Sequence, residues 1–97
     1  MKKKNAQTLS EALSDFFNEN SELKTKMAER RAIEGWEEVL GSGVAKYTRK
    51  IYFRRDILYV HLQSAVLRAE LLMCKERLIQ KLNSHARMPV IRDIIFR

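Results

Sequence analysis

Apolar and polar positions alternate along two short runs in the middle of the chain, Ile51-Tyr52-Phe53-Arg54 and Leu58-Tyr59-Val60-His61-Leu62. Period-two alternation marks strands buried on one face. The tight Arg55-Asp56 connection between them predicts a hairpin, with Asp56 as the residue suited to a positive φ. The spacing then turns helical. Ser64 offers a hydroxyl cap, and Leu67, Leu71, Cys74, Leu78 and Leu82 fall on one stripe of a helix running from about Ala65 to Asn83. Leu72 and Ile79 form a second apolar edge. A helix with two apolar edges needs two partners, here a sheet and other helices.

The flanking segments supply them. Thr8-Leu9-Ser10-Glu11 matches a capping box, in which hydroxyl and carboxylate each satisfy a free amide of the first turn. Leu9, Ala12, Leu13 and Phe16, widened by Phe17, make an apolar face. Asn18, Asn20 and Ser21 interrupt it, and Ser21 is placed to cap a second helix. That helix carries Leu23 and Met27, then Ala32, Ile33, Trp36, Val39 and Leu40; the two groups do not share one stripe, which leaves room for a kink near Arg30-Arg31. Trp36 reads as a core anchor. Gly35 costs roughly 1 kcal/mol relative to alanine inside a helix, and a closely packed second backbone would explain it. Gly41 stops the helix, and Val44 to Thr48 allows one more turn. Pro89 disfavours helix at Met88. The β-branched stretch from Val90 to Arg97 predicts a third strand, in which Ile91 and Ile95 compete with Ile94 and Phe96 for the inward face; the latter pair is assigned inward. The expected order is helix-helix-strand-strand-helix-strand. It describes a single α+β domain over residues 8–97 behind a flexible basic tail, residues 1–7.

Ninety-seven residues suit one domain with a modest core. The single cysteine excludes an internal disulfide framework, and its position on the apolar stripe reads as a small buried hydrophobe. No apolar run approaches the roughly 20 residues of a membrane span. Lys2-Lys3-Lys4 lacks the apolar stretch that would make it a secretion signal, so a cytoplasmic location is expected. Net charge is +7, and it is unevenly spread. Residues 1–40 hold seven Lys/Arg and eight Asp/Glu, whereas residues 41–97 hold twelve Lys/Arg against Asp56, Glu70, Glu76 and Asp93. The half with all the predicted strands is strongly basic, which points to a polyanionic partner.

Catalytic chemistry has little support. His61 and His85 stand in no metal-binding spacing, and neither a nucleophile elbow nor a phosphate-binding glycine loop is present. Glu34, Glu37 and Glu38 lie among cations on one helix and read as its solvated side. No cofactor, metal or small-molecule substrate is expected. The sheet is more informative. With Ile51, Phe53, Leu58, Val60 and Leu62 inward, the opposite face shows Lys50, Tyr52, Arg54, Tyr59, His61 and Gln63, joined by Arg97. Lys46, Arg49 and Arg55 extend its positive field. Cations that follow phosphates beside rings that stack on bases make a surface for single strands. Tyr52 and Tyr59, as cross-strand neighbours, are expected to form one continuous platform.

Trp36-Glu37-Glu38-Val39-Leu40-Gly41, Val44-Ala45, Thr48, Leu58 and Val60, Ser64 to Leu71, Leu82-Asn83, Asp93-Ile94 and Phe96-Arg97 together resemble the N-terminal domain of the DciA family. The resemblance covers roughly residues 9–97. It implies a KH-like fold, a helix-backed three-stranded sheet. It also implies a bacterial replication protein that binds single-stranded or duplex DNA, associates with the replicative DNA helicase and assists its loading. Tyr47 stands where the family often has His, Asp56-Ile57 replaces a turn that often contains Gly, and Leu67 appears where Trp is frequent. There is no GxxG loop, so the grip of a true KH domain is not carried over. Longer relatives add a flexible C-terminal tail implicated in helicase contact. The residues also admit an RNA-binding or ribosome-associated KH-like module, and a pure protein adaptor whose basic face meets an acidic protein.

Overall fold

The computed structural model describes residues 8–97, apart from the side chain of Phe17; the expected basic tail, residues 1–7, lies outside the described residues. The elements run α1 (Leu9–Glu19), α2 (Ser21–Leu40), α3 (Ser42–Lys46), β1 (Thr48–Arg54), β2 (Ile57–Leu62), α4 (Ala65–Met73), α5 (Lys75–Ala86) and β3 (Asp93–Phe96). The three strands form one sheet in the order β1-β2-β3, with β1–β2 antiparallel and β2–β3 parallel. This is the α+β arrangement that the pattern predicts and the KH-like fold that the family resemblance implies, with α4 and α5 forming the crossover between parallel neighbours.

Most local signals act as expected. The capping box is formed: Glu11 N donates to Thr8 Oγ1 at 3.1 Å and Thr8 N donates to Glu11 Oε1 at 3.0 Å. Ser64 Oγ accepts from Leu67 N at 3.1 Å and starts α4. Gly41 closes α2 with φ at +90°, a conformation glycine adopts without strain. Strand β2 alternates fully, with Leu58, Val60 and Leu62 buried.

Five details differ. Asn20, not Ser21, is the residue ahead of α2, and its side chain turns back to donate to the Phe16 carbonyl. Helix α2 runs unbroken through Arg30-Arg31. At the hairpin, Arg55 takes the positive φ (61°) in place of Asp56, whose carboxylate is held by Arg92. The long helix is two helices: Cys74, at φ −116° and ψ 26°, leaves helical geometry and joins them. The joint lets α4 lie against β2 while α5 packs along α2. It also turns Cys74 outward, so the thiol is exposed and the stripe resumes at Leu78 and Leu82. Lastly, β3 begins only at Asp93. Val90 and Ile91 are buried ahead of it, and Ile91 is fixed because Asn83 grips both of its backbone groups. Strand parity therefore applies only beyond Ile91. Ile94 pairs with Leu58 and Phe96 with Val60, so both share the inward side.

The core lies between the inner sheet face and the helices: Leu58, Val60, Leu62 and Ile94 from below, Ala28, Ala32, Trp36, Leu71, Leu78 and Leu82 from above. Trp36 is 3% exposed. Its indole Nε1 donates to Thr48 Oγ1 at 2.9 Å, and that hydroxyl donates to the Val44 carbonyl. Gly35 is explained by a side chain and not by a backbone: the His85 ring lies where a Cβ would be, with ring carbon Cγ 2.7 Å from the ideal position.

Candidate nucleic-acid interface

The outer face of the sheet is assembled by register. Lys50 pairs with His61, and Tyr52 with Tyr59. A β-bulge between Thr48 and Lys50 sets this arrangement. Simple alternation would place Thr48 and Lys50 on the same side. Thr48 instead turns inward to Trp36, and Lys50 turns outward over the Tyr52 ring, its Nζ 5.4 Å from the centroid. The extra residue, Arg49, allows both; re-aiming a side chain is the usual consequence of a bulge.

Arg97 reaches the same face from beyond β3. Its amide donates to the Val60 carbonyl and its carbonyl accepts from Leu62 N, both at 2.8 Å, so the backbone continues the parallel ladder. Its guanidinium carbon lies 5.3 Å from the Tyr59 centroid. Arg68 of α4 braces this end: Nη1 donates to the Leu62 and Arg97 carbonyls. Arg68 is not among the site residues expected from the sequence, and nothing in its spacing reveals the bond. Arg92, also absent from the expected site, forms an ion pair with Asp56 at 2.8 Å and ties the hairpin turn to the start of β3.

The rings are neighbours, as the register predicts, but they are turned on one another. Tyr52 and Tyr59 are stacked, with centroids 5.3 Å apart and planes at 6°. Tyr52 also stacks with His61, at 5.7 Å and 26°, and His61 Nε2 lies 3.4 Å from the Tyr52 hydroxyl. The result is a connected group of Lys50, His61, Tyr52, Tyr59 and Arg97 drawn from all three strand paths. A shallow depression lined by Arg49, Lys50, His61, Leu62 and Arg97 adjoins it. Arg54 lies two residues beyond Tyr52 on the same strand side, and Arg55 sits in the turn. Lys46 ends α3, ahead of β1.

The carboxylates nearest the strand ends are neutralised. Lys75 Nζ meets Asp93 Oδ1 at 2.9 Å, and Arg92 holds Asp56. Each hydrogen-bonded cation holds its carboxyl below the usual carboxylate range. Among the described residues, no group of three or more His, Cys, Asp or Glu side chains is placed to hold a metal ion, and no helix is long and apolar enough to cross a membrane.

The chain matches a family model, "Dna[CI] antecedent, DciA", over residues 8–96. It belongs to the DciA family. No curated protein and no solved structure matches it. The DciA motif residues prove to be mostly scaffold in this chain. Trp36 bonds Thr48, Gly41 ends α2, Ser64 caps α4, and Asn83 holds Ile91. Arg97 is the motif residue that also stands on the outer face. Membership in the DciA family points to a role associated with DNA replication.

Proposed function

We propose that this domain is a non-catalytic replication accessory that binds DNA, single-stranded or duplex, through the outer face of its sheet, and that it works beside the replicative DNA helicase. One observation carries the DNA reading: Lys50, Tyr52, Tyr59, His61 and Arg97 form one connected, donor-rich row with no carboxylate in it. Such a row attracts a polyanion and offers it hydrogen bonds at close range. Membership in the DciA family supports the replication setting. The helicase partnership is what the family resemblance implies.

Charge reversal tests the site. Lys50→Glu with Arg54→Glu should weaken binding to a fluorescent single strand and flatten the salt dependence, whose log–log slope is about −0.7 per phosphate neutralised. Lys24→Glu with Lys26→Glu, on α2, should do much less. Equal losses from both pairs would mean that total charge acts without a site. Running the same titration with RNA separates DNA from RNA preference. Capture of purified replicative helicase by the tagged domain, with nuclease present, tests the partnership apart from any shared DNA.

A further inference from the structure

The tyrosine group bears on what part of DNA the face touches. Resting on the DNA-binding reading above, we infer that the outer sheet face grips the sugar–phosphate backbone and does not stack bases. Tyr52 already stacks with both Tyr59 and His61, and Lys50 lies over it. Tyr59 has Tyr52 on its ring and Arg97 over it. A base stacking on either ring competes with the neighbours already against it. The group's polar atoms are largely donors: the Lys50 ammonium, the Arg97 guanidinium fork, the tyrosine hydroxyls and the His61 ring nitrogens. These match phosphate and sugar oxygens, which every nucleotide has. A guanidinium lying on a ring keeps its N–H fork in the ring plane's direction, ready for a phosphate. The bulge at Arg49 and the bracing of Arg97 by Arg68 hold both end cations in place. The face therefore binds without regard to sequence, and it accepts a duplex whose bases are hidden.

An abasic oligonucleotide, a sugar–phosphate strand without bases, decides the matter. Its affinity is compared with that of a mixed-sequence strand of equal length and at equal salt, by fluorescence anisotropy. Backbone gripping predicts the same affinity within about twofold, whereas each stacked base would be worth about fivefold or more. An abasic strand that binds more than about fivefold weaker overturns the inference while leaving DNA binding intact. If neither strand binds, the DNA-binding reading itself falls, and the inference with it. Tyr59→Leu, with folding verified by circular dichroism, gives a second reading. Backbone gripping predicts that the ratio of the two affinities stays the same. A loss confined to the base-bearing strand overturns it.

Discussion

Trp36 shows how one side chain can tie the helices to the sheet. Its ring fills the core, while its N–H reaches Thr48 at the start of β1. Trp36→Ala is expected to cost about 3–5 kcal/mol, enough to threaten a domain of this size. Thr48→Val keeps the volume and strands the indole N–H, so a loss of about 1–3 kcal/mol is expected. Urea denaturation of the two variants checks both values; a wild-type midpoint for Trp36→Ala would contradict the packing described. The tyrosines illustrate a different balance. An aromatic pair contributes about 0.5–1.5 kcal/mol and an exposed cation–π contact about 0.5–1 kcal/mol, while a stacked base offers about 1–3 kcal/mol. Exchanging the aromatic pair for a stacked base gains little. Alternation in the sequence was enough to bring Tyr52 and Tyr59 to one face, because strand parity fixes sides. It could not show the rings turned on each other, because side-chain torsions answer to Lys50, His61 and Arg97 and not to parity.

At the level of elements, the close approach of α5 to α2 depends on Gly35. Alanine there would gain about 1 kcal/mol of helix propensity but would overlap the His85 ring near its root, where rotation cannot clear it. A net loss of about 1–3 kcal/mol is expected, and adding His85→Ala should recover most of it. A Gly35→Ala variant as stable as wild type would show that α5 can shift freely. Helix α1 behaves differently. Leu9, Leu13 and Phe16 remain largely exposed, and α1 packs mainly on α2. Leu13→Ala should therefore change stability by less than about 0.5 kcal/mol, against about 2–5 kcal/mol for the fully buried Leu82→Ala. Thermal melts of the pair test this contrast. The helices were legible as apolar stripes, since Leu67, Leu71, Leu78 and Leu82 all face inward. The joint at Cys74 was not, because no glycine or proline marks it. It stands where the chain passes from packing on β2 to packing on α2.

At the scale of the molecule, most of the described acidic groups gather on the N-terminal helices. α1 carries Glu11, Asp15 and Glu19 and no Lys or Arg, and two cations of α2 are engaged, Arg30 with Glu34 and Arg31 with the Ala86 carbonyl. On the sheet, Lys50 and Arg97 lie over the outer-face tyrosines. The imbalance between chain halves was visible in the sequence, whereas the bonds that occupy Arg31, Arg68 and Arg92 need the folded chain to bring distant residues together. The ion pairs predict an acid limb. Asp56 and Asp93 both have folded pKa values lowered by a bonded cation. Their stabilisation is present above the ordinary carboxylate value, about 3.9, and is lost as pH falls through the lowered folded values. Burial raises Glu29, which acts in the opposite direction. Urea midpoints should therefore fall with acidification below about pH 4, and less steeply in Asp93→Asn. The central claim, that DNA lies on the outer sheet face, is tested most directly by titrating the isotope-labelled domain with a short single strand and following its backbone amide resonances by NMR. Shifts should concentrate at Lys50, Tyr52, Tyr59, His61 and Arg97, with α1 and the outer side of α2 silent; shifts centred on α2 and α5 with those five residues unmoved would contradict it.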